Sequence, residues 1–167
     1  MNDSKQNTLF VFPGQGSQYL GMGRDLCQEY ETARSIYQQA GEVLGYDIQE
    51  LCFNGPEEQL NLTRHTQPAL LTHSIACLQV FRELTEGRVE AAMAAGHSLG
   101  EYSALVAAKA LSFEDALRLV QKRGELMGEH GEGEMTAFPL DLDTVRPIAE
   151  RFHCAVAGCN LPEQTVI

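Results

Sequence analysis

Ser98 stands in the stretch Gly96-His97-Ser98-Leu99-Gly100, which fits the pattern G-x-S-x-G. Where that pattern falls between a strand and a helix, a sharp turn holds the serine hydroxyl out on a strained backbone, and the flanking glycines let strand and helix approach closely. The first N–H groups of such a helix, beginning around Leu99, would point toward an oxyanion formed by attack of Ser98. The chemistry is nucleophilic catalysis by a serine. The plainer alternative is that Ser98 only caps the helix, because serine is a favoured cap. The run "VEAAMAAG" before the motif and the strongly apolar segment Glu101 to Leu111 after it favour the nucleophile. So apolar a helix should be largely buried.

Two further groups of residues have types that suit a reaction. "FPGQGSQ", Phe12 to Gln18, has glycines that allow close backbone approach, and the amide of Gln15 between them could donate to a developing oxyanion. A dinucleotide fingerprint would need a third glycine where Tyr19 stands, and no Gly-Lys-Ser/Thr follows to make a P-loop. A simple glycine-rich turn remains the other reading. In "SFEDALRLVQKRGELM", Ser112 and Asp115 form a capping pair ahead of an amphipathic helix. Phe113, Ala116, Leu117, Val120 and Met127 share its apolar face, and Arg123 falls within that arc. A guanidinium so placed needs an anion, which is either an internal Asp or Glu or the carboxylate of a substrate.

These residues have to be positioned by a fold. Strand-like and helix-like stretches alternate, which predicts the α/β class with a parallel sheet and flanking helices. "TLFVF", Thr8 to Phe12, reads as a buried first strand stopped by Pro13 and Gly14. Helix is expected from about Asp25 through Leu44 and again over Thr66 to Leu84, with Pro68 near the first turn of the second. "GEHGEGE", Gly128 to Glu134, reads as a linker, followed from Met135 by a strand-helix-strand pattern. The division expected is therefore 1–128 and 129–167.

Composition narrows the function classes. At 167 residues and 44% hydrophobic content the chain can bury a core. A formal charge of −11 argues against nucleic acid as a partner. No stretch is long and apolar enough for a membrane span, and "MNDSKQN" lacks the apolar core of a secretory signal, so a cytoplasmic place is expected. Five cysteines without a C-x-x-C pair read as reduced, buried small residues rather than a disulfide framework or a zinc site.

"FPGQGSQ", "TQPALL", "GHSLGEYSAL", "QKRGELM" and the closing "NLPEQTVI" together resemble the malonyl-CoA:acyl carrier protein transacylase family, including the acyltransferase domains of polyketide synthases. The resemblance runs in order over nearly the whole chain. It implies a hydrolase-like α/β subdomain and the beginning of a ferredoxin-like small subdomain. It implies a ping-pong transfer in which serine takes malonyl from malonyl-CoA and gives it to the phosphopantetheine thiol of an acyl carrier protein. The coenzyme A thioester is then a substrate, and no cofactor is implied. By resemblance Ser98 is the nucleophile, Gln15 and the Leu99 N–H form the oxyanion hole, and Arg123 pairs with the malonyl carboxylate. Gln67 and His97 match positions lining the pocket, and Asn160 matches one near it. The family's general base is a histidine beyond Ile167, so the chain corresponds to the family's N-terminal part. Two other readings stay open: an acyl-carrier-protein hydrolase of the same fold, and a carrier-docking piece without catalysis.

Overall fold

A computed structural model describes residues 8–167. The polar N-terminal stretch read above for the absence of a signal, Met1 to Asn7, lies outside the described residues. The chain forms two compact units, the first ending at His130 and the second beginning at Gly131.

In the first unit, strand β1 (Leu9–Phe12) is followed by α1 (Arg24–Glu29), α2 (Glu31–Leu44), α3 (Ile48–Asn54), α4 (Glu57–Leu60) and α5 (Thr63–Leu84). Strand β2 (Met93–Gly96), α6 (Gly100–Ala107) and α7 (Phe113–His130) complete it. β1 and β2 pair in parallel, Leu9 opposite Met93 and Phe12 opposite Gly96; α6 packs against both strands, and α5 packs in turn on α6, α2 and α7. This is the expected α/β arrangement of parallel strands with flanking helices.

The apolar periodicity of α5 explains its central place. Leu70, Leu71, Ile75 and Leu78 are buried, and the helix packs on α2, α6 and α7. The helix begins at Thr63, earlier than Thr66, so Pro68 lies inside it rather than in its first turn. The single helical region expected from Asp25 is broken at Tyr30, whose extended backbone (φ −119, ψ 123) separates α1 from α2. Beside these helices, the Tyr37 hydroxyl donates to the Met22 carbonyl at 3.1 Å, and His73 Nδ1 lies 3.2 Å from that hydroxyl. Burial holds His73 below the usual imidazole range.

Four expectations about burial need correction. The first strand is not buried as a whole: Phe12 is, but Leu9 is 48% and Val11 69% exposed, since among the described residues β1 has only β2 beside it in the sheet. α6 ends at Ala107, and Leu105 is 45% exposed, so the helix is only half-buried; Gly100, Ser103, Ala104 and Ala107 make its inward stripe. On α7, Phe113, Ala116, Leu117 and Val120 are buried, but Met127 is exposed because the helix extends its C-terminal turns past the core. Of the cysteines, Cys27 and Cys52 are buried and Cys77 is partly so, whereas Cys154 and Cys159 are exposed on the smaller second unit. All five are free thiols, and burial pushes Cys27 up to about 11 and Cys52 up to about 12, so both pack as small apolar groups.

The second unit contains β3 (Ala137–Phe138), α8 (Leu142–Arg151), β4 (Gly158–Leu161) and β5 (Gln164–Val166). Its sheet is antiparallel in the order β3-β5-β4. Asp141 caps α8 by accepting the Thr144 N–H at 2.7 Å, and Val145 and Ala149 are the buried face of that helix. Gly128, read as the start of a linker, is still helical; regular structure stops after His130.

Candidate active site

The turn between β2 and α6 is built by contacts that tolerate no side chain. A Cβ on Gly96 would lie 1.9 Å from the Gly100 carbonyl carbon, and one on Gly100 would lie 2.3 Å from the Phe12 carbonyl oxygen. The two glycines are there for approach, as the motif implied. The positive φ of the turn falls on Ser98 itself, at 52°, a conformation that non-glycine residues adopt at a cost of about 1–3 kcal/mol where surrounding structure imposes it. Such strain, with the side chain exposed at the end of a strand, is the geometry of a presented nucleophile.

Ser98 does not cap the helix. The N-cap position of α6 is Leu99, and no side chain caps that end. The turn bonds begin with the Gly100 N–H to the His97 carbonyl at 2.9 Å, which puts the Leu99 N–H ahead of them at the open end of the helix. Leu99 is buried, so its amide is fixed in place.

The Ser98 hydroxyl faces Arg123. Arg123 Nη2 donates to Ser98 Oγ at 3.0 Å, and Nη1 donates to Gln67 Oε1 at 2.7 Å. Gln67 is completely buried on α5, and its Nε2 donates to Met127 Sδ at 3.3 Å, which turns its carbonyl oxygen toward the arginine. The guanidinium also lies 6.0 Å from the Tyr102 ring centroid. The anion that the sequence required for Arg123 is not an internal one: among the described residues its partners are neutral oxygens and a ring. A two-pronged cation is thus held beside a serine hydroxyl with no carboxylate partner among the described residues, a setting suited to an incoming carboxylate.

The loop after β1 reaches the same place. The His97 N–H donates to the Phe12 carbonyl at 3.2 Å, and a Cβ on Gly14 would meet the His97 carbonyl oxygen at 2.6 Å and His97 Nδ1 at 2.9 Å. Gly14 therefore lets this loop lie against the serine turn. Gln15 is exposed, and its Nε2 donates to Thr63 Oγ1 at 3.2 Å. A primary amide carries two N–H groups, so this bond leaves the second available to a ligand.

The structure thus brings together Ser98, Leu99, Arg123 and Gln67, with His97 and the Gln15 loop beside them. Asn160 belongs to the second unit, on β4, where its Nδ2 donates to Gln164 Oε1 at 3.3 Å. Sequence reasoning missed Thr63, Tyr102 and Gly124. For Gly124 a signal existed: a glycine inside a helix, directly after the arginine, is otherwise unfavourable by about 1 kcal/mol. Among the described residues no group of His, Cys, Asp and Glu could hold a metal ion, and no helix is long and apolar enough to cross a membrane.

Comparison with known proteins agrees with this geometry. Residues 9–167 match the acyl transferase domain family. The chain is 50% identical over 168 residues to the malonyl CoA-acyl carrier protein transacylase of Escherichia coli K12, covering 95% of this chain and 53% of that protein. It is 44% identical over 167 residues to the enzyme of that name from Bacillus subtilis 168, covering 95% and 52%. A solved complex of a type II PKS acyl-carrier protein with its malonyl-transacylase superposes with a TM-score of 0.89 at 40% identity, over 96% of this chain and 54% of that one. The chain spans about half the length of the curated relatives it matches. With its strained serine turn, its arginine poised over the hydroxyl and this match along the described residues, the chain belongs to the acyl transferase domain family.

Proposed function

We propose that the protein transfers a malonyl group from malonyl-CoA to the phosphopantetheine thiol of an acyl carrier protein through an ester on Ser98. The observation that carries this reading is the Arg123 guanidinium, anchored by buried Gln67 and 3.0 Å from Ser98 Oγ, with no carboxylate partner among the described residues. Ser98 Oγ attacks the thioester carbonyl and passes its proton to a general base, which the resemblance gives as a histidine. The oxyanion of the tetrahedral intermediate accepts from the Leu99 N–H and from Gln15 Nε2. Collapse expels the coenzyme A thiolate, which takes a proton, and leaves malonyl-Ser98. The carrier thiol then gives up its proton and attacks the ester carbonyl, the same donors hold the second oxyanion, and collapse breaks the bond to Ser98 Oγ, which takes a proton, leaving malonyl on the carrier sulfur. Arg123 exchanges its bond to Ser98 Oγ for the malonyl carboxylate, which selects acyl groups that end in an anion. His97 and Gln67 line the pocket.

The relatives' names and the solved complex with a carrier protein support the donor and the acceptor. A chase experiment tests the reading. Protein loaded from malonyl-CoA is mixed with holo acyl carrier protein, and malonyl-carrier is expected to form. Release of free malonate without malonyl-carrier would instead indicate a hydrolase, and failure to load would leave a carrier-docking piece.

A further inference from the structure

The two arms of the proposed site, Gln15 and Arg123, lie far apart in sequence, yet both are tied to one turn of helix. Gln15 Nε2 donates to Thr63 Oγ1 at 3.2 Å, and Arg123 Nη1 donates to Gln67 Oε1 at 2.7 Å. Thr63 and Gln67 are four residues apart at the start of α5, so their side chains share one face. α7 is seated against that same turn. A Cβ on Gly124 would lie 2.7 Å from the Thr63 carbonyl oxygen and 2.7 Å from Arg64 Cα, so the helix that carries Arg123 touches the backbone that carries Thr63.

We propose that Thr63 is a positioning residue for acyl transfer: its hydroxyl holds the Gln15 amide on the α5 turn that also anchors Arg123, so that oxyanion donor and carboxylate clamp are set by a single element. The inference rests on the transferase reading. Its physical content is entropic. An exposed glutamine has several freely populated rotamers, and a donor helps a transition state only to the extent that it is already in place. The Thr63 hydroxyl accepts one N–H of Gln15 and so fixes where the other points. Because the oxyanion forms with any acyl group, this arm acts on turnover and not on the choice of acyl group.

The test uses the protein as encoded and compares Thr63→Val, which keeps the shape and loses the acceptor, with Thr63→Ser, which keeps it. The Thr63→Val variant is expected to lose about tenfold in kcat for transfer, less than the 10²–10³ typical of removing an oxyanion donor outright. KM and the malonyl to acetyl ratio should stay near the unaltered values, and Thr63→Ser should restore most of the rate. A folding defect would instead lower the active fraction in a thermal melt and would not distinguish Ser from Val by kcat. Independently of activity, the side-chain N–H pair of 15N-labelled Gln15 should be resolved from free glutamine in the unaltered protein and in Thr63→Ser, and collapse toward it in Thr63→Val. Absence of acylation in the unaltered protein would sink the transferase reading. A Gln15 signal indifferent to Thr63→Val, or an unchanged kcat, would overturn the role of Thr63.

Discussion

Gly124→Ala adds a methyl group where the structure has no room to spare. The new Cβ would sit 2.7 Å from both the Thr63 carbonyl oxygen and Arg64 Cα, and both are backbone atoms that cannot rotate away. Restoring ordinary contact at 3.4 Å requires a shift of roughly 0.7 Å between α7 and the start of α5. The bonds of Arg123 to Gln67 and Ser98, at 2.7 and 3.0 Å, lose much of their strength when stretched by that amount. Stability should fall by about 0–2 kcal/mol, the overpacking cost of about 1–3 kcal/mol less the gain of about 1 kcal/mol in helix propensity that alanine brings. Malonyl loading should fall by about tenfold or more, given that misplacement by about 1 Å can cost 10²-fold. Single-turnover loading, quenched and read by intact mass beside a thermal melt, measures both effects. Gly128→Ala is the control: it lies in the same helix with nothing within 4 Å of its Cβ, and should melt no lower and load at the unaltered rate. Unchanged malonyl loading by folded Gly124→Ala would refute the claim that this contact sets the arginine.

Other outcomes follow from the same geometry. Arg123→Ala should lose malonyl loading far more than acetyl loading, measured as the ratio of the two rates, and equal losses would remove Arg123 from substrate recognition. Gly100→Ala, whose Cβ would meet the Phe12 carbonyl oxygen at 2.3 Å, should destabilise the first unit by about 3 kcal/mol or more in denaturant titration. Burial depresses the His73 pKa, so the unfolded chain takes up that proton first as the pH falls below the ordinary 6.5. Stability should therefore be complete above 6.5 and decline below it, and His73→Gln should flatten that slope in melts taken across the range.

The serine turn was legible because its requirements are local. Gly96 and Gly100 flank Ser98 at fixed spacing, and the approach Gly96 allows is to its own helix, although that of Gly100 is to the Phe12 carbonyl at the end of β1. The apolar face of α7 was legible from its period as far as Val120, and Arg123 stood out against it. That Gln67 answers the arginine was not legible from the chemistry of the residues, since it lies 56 residues away on another helix; only the resemblance carried by "TQPALL" put it at the pocket, without naming its partner. Thr63 was hidden for the same reason, 48 residues from Gln15. The exposure of Leu105 and Met127 was misjudged because periodicity gives the face a residue is on, not how far the core extends beneath it. Cys154 and Cys159 were misjudged because the preference of cysteine for the interior is a tendency of cores, and the second unit has little core to offer.

The central claim is that the bend at Ser98 presents a hydroxyl that accepts an acyl group. Peptide-resolved mass spectrometry of the protein as encoded, after brief incubation with malonyl-CoA, tests it most directly. The account predicts a malonyl adduct on the peptide containing Ser98, absent from Ser98→Ala. An adduct on any other residue, or one that persists in Ser98→Ala, would contradict it.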